Sequence, residues 1–400
     1  MANPQWVLVV NSGSSSLKYQ VVDAVSGRTA ATGIVERIGG PGRLRHTTDA
    51  GTHEEDVTCR DHRAALAAGR AALAEHGPDL DELGLFAVGH RVVHGGPHFS
   101  EPVVVDDDVF AAIVELVPLA PLHNPANLQG IRSARESFPG VPQVAVFDTA
   151  FHQTLPREAF TYAVPAPWRE QHQVRRYGFH GTSHRYVSRR TAELLHRSPQ
   201  ECNVIVLHLG NGASACAVQG GRSIDTSMGL SPLEGLVMGT RSGDVDPAMG
   251  AYLARVANLD AAAYDEALNT RSGLLALAGT SDLRELEQRR RSGDAGAELA
   301  FAVMVYRLRK YVGAYAVALG RVDAIAFTGG IGENSVSVRA GVLDGLGVLG
   351  VELDAAANAD GEPERRVTTD DSSVAAWVVP TDEELEIARA CLAVLPGGRG

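Results

Sequence analysis

The sequence predicts a duplicated α/β protein, and three observations predict it. One pattern occurs twice, about 200 residues apart: a short apolar run, a tight turn of Gly, Ser and Asn, and a second apolar run. In each half these strands come first and alternating strands and helices follow, the order of a sheet that helices cover. At 400 residues, a prior of roughly 150 per domain gives two or three domains with ample cores. The division expected is an N-terminal domain over 1–150 and a C-terminal one over 151–384.

The first copy of the pattern has apolar residues over 7–10, a turn over 11–16 with Asn11, Ser14 and Ser16, and a second run over 17–22 that carries Lys18. The second has an apolar run over 204–207, then His208, Leu209, Gly210, Asn211 and Gly212, then an apolar run ending at 218. Each is a strand–turn–strand hairpin whose tip exposes backbone N–H groups. Glycine lets backbone approach an anion closely, and clustered N–H groups attract phosphate. Two such tips suggest a clamp on the phosphates of a nucleotide; two ordinary hairpins are the alternative.

Residues 5–35 read as strands with turns, and 39–53 as a loop or hairpin. An Ala-rich amphipathic helix over 61–76 stops at Gly77 and Pro78. A strand over 85–89 leads into His90-Arg91-Val92-Val93-His94. Helices follow over 106–116 and 124–136, the latter with Pro125 at its first position, and a strand over 143–147 ends at Asp148. In the second half, Thr182 and Ser183 are expected to cap a helix running to about 197. After the second hairpin comes a long Gly- and Ser-rich loop over 225–247. Helices over 247–258, 260–269, 282–291 and 294–319 precede a strand over 323–327. That strand breaks into the turn 328–334, and a helix follows it. A strand over 375–379 and a final helix over 385–397 end the chain.

Composition narrows the class. Hydrophobic content of 44% and charged content of 21% are those of a soluble globular protein. A net charge of −12 argues against a general nucleic-acid or anionic-membrane binder, but a local arginine cluster can still hold an anion. The apolar run at 7–10 is too short for a signal segment, and nothing reaches membrane-spanning length. Cys59, Cys202, Cys216 and Cys391 lack C-x-x-C spacing, which suits reduced thiols in the cytoplasm.

Several motifs are set aside. There is no G-x-x-x-x-G-K-[ST]. Gly345, Gly347 and Gly350 match G-x-G-x-x-G by letter but follow a helix, not a strand. His90, His94 and His98 lie on a strand and turn, where a spacing of four does not converge. His180 falls in a turn between Gly178 and Gly181, so its spacing with His184 is a weak metal signal.

The remaining polar residues fit one chemistry. Arg241 sits in a glycine-rich loop flanked by Asp244 and Asp246, and Arg91 ends an apolar strand where a charge needs a partner. His180 heads a helix start, a natural anion site. With Lys18 these form a cationic set in an acidic protein, and Asp148, Asn11 and Glu383 offer metal or orienting ligands. Phosphoryl transfer is the reading that joins them.

At this point the chain resembles the acetokinase family from end to end. The strings that carry the resemblance are VLVVNSGSSSLKYQ (7–20), HRVVHGG (90–96), PLAPLHNPANL (118–128), VFDTAFHQTLP (146–156), RYGFHGTSH (176–184), HLGNGAS (208–214), DTSMGLSPLEGLVMGTRSGDVDP (225–247) and TGGIGENS (328–335). The resemblance implies two duplicated α/β domains of the actin-like ATPase (ribonuclease H-like) type, a nucleotide cleft between them, and a C-terminal helix that packs back on the first. It implies Mg²⁺- or Mn²⁺-dependent transfer of the γ-phosphoryl of ATP to acetate, giving acetyl phosphate and ADP, in a cytoplasmic homodimer.

Carried over by residue, the resemblance gives Asn11 and Glu383 to the metal, and Lys18, Ser14 and Ser16 to the phosphates. Asp148, His180, Arg241 and Arg91 are the catalytic set. Arg91, Val93, Leu122, His123, Phe179 and Pro232 would hold the acid. His208, Leu209, Gly210, Asn211, Gly212, Asp282, Leu283, Arg284, Gly330, Ile331, Gly332, Glu333 and Asn334 would hold the nucleotide. Acetate is already ionised at pH 7, so Asp148 is expected to orient Arg91 or the metal rather than act as a base. A propionate kinase is the near rival, because one methylene is worth only about 1–3 kcal/mol in an apolar pocket. A sugar kinase lacks support in the polar residues. A nucleotide-switched binding protein of the actin or chaperone type is the alternative from another class.

Overall fold

The computed structural model describes residues 3–396. The chain divides into two compact units, residues 1–151 with 382–400, and residues 152–381.

The first unit is built on eight strands: β1 (Trp6–Ser12), β2 (Ser16–Asp23), β3 (Thr29–Glu36), β4 (Gly40–Thr48), β5 (Gly51–Cys59), β6 (Ala87–Val92), β7 (Val103–Val104) and β8 (Gln143–Phe147). They form one sheet in the order β5-β4-β3-β2-β1-β6-β8-β7. β1 through β5 pair antiparallel, while β1, β6 and β8 run parallel. The strand period puts Leu8 and Val10 of β1 with Leu17, Tyr19 and Val21 of β2 in one core beneath the helix His62–His76. Asp61 starts that helix by accepting the Ala64 N–H at 2.8 Å. On β6, Val88 belongs to this core, and its neighbour Gly89 faces the other way. There Ile387 and Cys391 of the helix Glu383–Val394 press so close that a Cβ on Gly89 would lie 2.6 Å from Ile387 Cγ2.

The second unit has six strands: β9 (Asn203–Leu209), β10 (Ala213–Gln219), β11 (Arg222–Thr226), β12 (Ala324–Thr328), β13 (Arg365–Arg366) and β14 (Ala375–Val378). Their order is β11-β10-β9-β12-β14-β13. β9, β10 and β11 pair antiparallel; β9, β12 and β14 run parallel. The core of each sheet therefore repeats one plan, with a hairpin strand at the centre flanked by two antiparallel strands on one side and two parallel strands on the other. Both faces of the central parallel strands are covered, which is why β8 and β12 are buried at every residue and read as apolar runs with one polar residue at an end, Gln143 and Thr328.

Local expectations needed correction in three places. The helix after 180 is Gly181–Leu194, with His180 rather than Thr182 or Ser183 at its N-cap. His180 has a left-handed backbone (φ 57°), so the helix begins two or three residues early and the Ser183 hydroxyl is spent on His208 and Thr381 instead. The glycine-rich segment after β12 is not a turn but the helix Gly329–Asn334. Glu333 Oε1 accepts the Gly329 N–H at 2.8 Å, satisfying a first-turn donor and offsetting the poor helix propensity of three glycines. The last helix starts at Glu383 and ends at Val394; the expected end at 397 lies outside the described residues. Among the described residues, no helix is long and apolar enough to cross a membrane.

Candidate functional site

The first unit gathers its polar candidates at the ends of β1, β6 and β8. Arg91 grips Asp148 by two bonds, Nε to Oδ1 at 3.0 Å and Nη2 to Oδ2 at 2.6 Å, and reaches Asn11 Oδ1 through Nη1 at 3.4 Å. Glu383 Oε2 lies 3.9 Å from Arg91 Nε. Asp148 is 1% exposed and its own N–H bonds Val92 O at 2.9 Å, so β6 and β8 lock the pair in register. A fork–fork pair of this kind orients a guanidinium.

Glu383 opens its helix with Glu384 and Glu386, where the helix dipole favours negative charge. Burial pushes its carboxyl up to about 7; Arg91 opposes this, while Asp148 and Glu384 add to it. Asn11 and Glu383 are hard oxygen donors of the sort that suits Mg²⁺. Among the described residues no three His, Cys, Asp or Glu side chains converge as a closed metal cage.

Asn11 pairs across the hairpin with the exposed Lys18. The tip is tight, with Gly13 N–H to Ser16 O at 2.8 Å, and Ser14 stands exposed on it. Of the expected acid-binding residues in this unit, Val93 is buried, its N–H held by Asn127 Oδ1 at 3.0 Å, while Leu122 is 66% exposed. His123 is the exposed N-cap of the helix Asn124–Ser137.

The second unit brings together His180, Gly212 and Arg241. The β9–β10 turn is three residues, Gly210 to Gly212, closed by Gly210 N–H to Gly212 O at 3.0 Å. The loop holding Arg241 docks on it, with Gly239 N–H to Asn211 O at 3.0 Å. A Cβ on Gly212 would fall 2.6 Å from Arg241 Nη2 and 3.6 Å from His180 Cε1. Only glycine leaves the guanidinium and the imidazole this close to the turn backbone. The carboxylates beside Arg241 in sequence do not pair with it. Asp244 is taken by Gly235 N–H, Arg307 and the Tyr311 hydroxyl, and Asp246 by Ala248 N–H. Arg241 donates to Pro232 O at 2.6 Å, and burial lowers its pKa. A half-buried cation without a carboxylate is suited to receive an anion.

His180 Nδ1 lies 2.9 Å from Ser214 Oγ, and the same oxygen lies 2.7 Å from His184 Nε2. The His180 ring stacks on His208 with centroids 4.4 Å apart. His208 Nδ1 meets Ser183 Oγ at 2.8 Å. Histidines 180 and 184 do converge, on a hydroxyl. Burial, then His152 and His208, hold the His184 pKa well below the usual imidazole value. Phe179 is buried, and its carbonyl meets His152 Nε2 at 3.0 Å.

Beside the turn lies a cavity of about 560 Å³ lined by Gly210, Asn211, Asp282, Leu283, Arg284, Gly330, Ile331 and Asn334. Eight of the thirteen residues assigned to the nucleotide therefore share one wall. Ser281, Glu287 and Ser335 also line it and were missed; the two serines carry no charge or glycine signal, Glu287 is one carboxylate in a charge-rich helix, and only the fold makes them neighbours. Leu209 lines a separate small apolar space. Gly332 is buried, and Glu333 is engaged within its own helix.

A family model described as the acetokinase family matches residues 6–389. An acetate kinase of Leifsonia xyli is 58% identical over 394 residues, covering 98% of this chain and 99% of that one. An acetate kinase of Streptomyces avermitilis is 55% identical over 397 residues, covering 98% of each. Among solved structures, the acetate kinase of Porphyromonas gingivalis superimposes with a TM-score of 0.93 at 42% identity, covering 98% of this chain and 99% of that one. A propionate kinase of Francisella tularensis also gives 0.93, at 40% identity, covering 98% and 100%.

Proposed function

We propose, from the premise that this chain belongs to the acetokinase family, that it transfers the γ-phosphoryl of ATP reversibly to acetate, giving acetyl phosphate and ADP. One observation carries the reading: a half-buried guanidinium with no carboxylate partner among the described residues, Arg241, packed on a glycine turn that opens onto a nucleotide-sized cavity. A carboxylate oxygen of acetate forms the new bond to phosphorus as the bond to the bridging oxygen of ADP breaks. The acid is already ionised, so the obstacle is repulsion between two anions rather than removal of a proton.

The Asp148-braced guanidinium of Arg91 would hold the acid, and the Gly210–Gly212 turn with the 282–284 and 330–334 segments would hold the nucleotide. Arg241 and His180 would donate hydrogen bonds to the equatorial oxygens of the transferring group, where negative charge is spread. A divalent cation near Asn11 and Glu383, when bound, supplies further neutralisation of phosphate charge. Asp148 is already committed to Arg91, which supports an orienting role and not that of a base.

Hydroxylamine trapping of the acyl phosphate tests the reading, with ATP and Mg²⁺ and with acetate, propionate, butyrate or no acid. Hydroxamate that depends on acetate and falls with chain length is expected. Equal or greater yield with propionate would move the assignment to that acid, and ATP hydrolysis indifferent to any carboxylate would refute the kinase. The homodimer is likewise a proposal. Leu299, Tyr306 and Val317 are 55%, 66% and 83% exposed on the helix Ala295–Leu319, and their spacings of 7 and 11 return to one face. Light scattering at twice the chain mass is expected, and a monomer at micromolar concentration would refute it.

A further inference from the structure

Ser214 Oγ is the shared partner of two imidazoles, at 2.9 Å from His180 Nδ1 and 2.7 Å from His184 Nε2. A hydroxyl has one hydrogen to give. Its oxygen could accept from both rings, but Ser214 is buried and has no other partner among the described residues, so that would leave its O–H unbonded; one contact is therefore O–H donating to a ring nitrogen, and the other is a ring N–H donating to Oγ. Two arrangements exist. In the first, His184 Nε2–H donates to Ser214, and the Ser214 O–H donates to His180 Nδ1. In the second the direction is reversed, and His184 must carry its proton on Nδ1.

The surroundings of His184 decide between them. Its ring is fully buried, and Nδ1 has no hydrogen-bond partner among the described residues. The reversed arrangement strands a buried N–H there; the first leaves only a bare lone pair. Orphaned buried N–H groups are the rarer and costlier defect. Burial and the neighbouring His152 and His208 rings also keep His184 uncharged, so it has one ring proton to place.

We propose that Ser214 and His184 are positioning residues that set the tautomer of His180: the chain His184 Nε2–H to Ser214 O–H to His180 Nδ1 leaves the His180 proton on Nε2. His180 is then a neutral donor, able to bond a phosphoryl oxygen without first becoming imidazolium. The backbone serves the same end. His180 is held at φ 57° at the helix N-cap, and four residues on His184 lies on the same helix face. Ser214 sits opposite His208 in the β9–β10 register, and the His180 ring stacks on that of His208. The consequence for rate rests on the phosphoryl-transfer reading, but the tautomer itself does not.

The test uses the full chain labelled with ¹⁵N-histidine. Long-range ¹H–¹⁵N spectra report which ring nitrogen carries each proton, and the expected result is His180 and His184 both protonated on Nε2. Ser214→Ala is expected to mix the His180 tautomers and lower kcat by about tenfold or more while moving either KM by less than about twofold, as wrong-tautomer defects do. Ser214→Thr keeps the hydroxyl and should restore both, and His184→Gln, which keeps a side-chain N–H donor, should lose less than His184→Ala. A parent His180 protonated on Nδ1, or a Ser214→Ala protein with unchanged tautomer and kcat, overturns the proposal. Failure of the acetate-dependent assay in the parent would instead overturn the kinase reading, and the spectra would still decide the tautomer.

Discussion

Arg241 and Arg91 are both arginines in apolar settings, yet their partners differ, and the difference predicts how each fails when removed. Arg91 has a carboxylate on both arms of its fork, whereas Arg241 has a carbonyl and burial. Arg241→Ala is therefore expected to lower kcat by roughly 10³-fold or more, the scale of arginine-finger losses, with little loss of stability. A loss under tenfold would remove Arg241 from the transition state. Asp148→Ala is the opposite case. It leaves Arg91 largely buried with only Glu383 at 3.9 Å and the Asn11 amide as partners among the described residues, so chemical unfolding should show a loss of up to about 3–5 kcal/mol together with a raised KM for the acid. A fall in kcat alone, with KM and stability kept, would return Asp148 to the role of base. These charges were legible from the sequence because glycine and apolar neighbours made them conspicuous. The partner of Arg91 was offered only as one of two roles for Asp148, orienting Arg91 or the metal, because 57 positions separate the pair; Ser214, a small hydroxyl in an apolar strand, gives no sign of the two histidines it joins.

The turn between β9 and β10 and the loop of Arg241 act as one element, closed by Gly239 N–H to Asn211 O. Gly212 is where they touch. Gly212→Ala would place a methyl 2.6 Å from Arg241 Nη2, the far end of a flexible side chain, with no positive φ to strain the backbone. The guanidinium swings away more cheaply than the fold distorts. The midpoint of thermal unfolding should stay within a few degrees, while kcat falls by about tenfold or more, a few kcal/mol of misplaced transition-state bonding. An alanine variant within twofold of the parent would mean the close approach is incidental. At this scale the hairpins and the parallel strands could be read from period and punctuation, since local alternation encodes them. The helix Gly329–Asn334 could not, because its stability comes from Glu333 reaching back to Gly329, a contact that outweighs three helix-poor glycines. The Thr182 or Ser183 cap failed for a related reason: His180, already read as heading the helix, takes a left-handed backbone and is itself the N-cap.

Across the whole molecule, burial of neutral imidazoles ties stability to pH. His90 and His152 are almost wholly buried, and burial lowers both to about 4 from an ordinary 6.5; hydrogen bonds to Gln143 Oε1 and Phe179 O oppose the shift only in part. Between pH 6.5 and 4 the unfolded chain binds protons at these rings that the native chain does not. Stability is therefore full above 6.5 and falls as pH drops through that window. The gap between 6.5 and about 4 corresponds to roughly 3 kcal/mol per ring by the acid end. Glu383 works in the opposite sense, because its raised carboxyl lets the native state take up a proton first as pH falls towards about 7. A single-site difference separates the two. His90→Gln keeps an amide donor towards Gln143 and removes one titrating ring from the core. Urea unfolding of parent and variant at pH 7.5, 6 and 5 should show the stability difference moving in favour of the variant as pH falls, by about 2 kcal/mol between the first and last of these if one proton is at stake. A difference that stays constant over that range would mean His90 takes up its proton alike in the folded and unfolded chain, and that its burial carries no acid penalty.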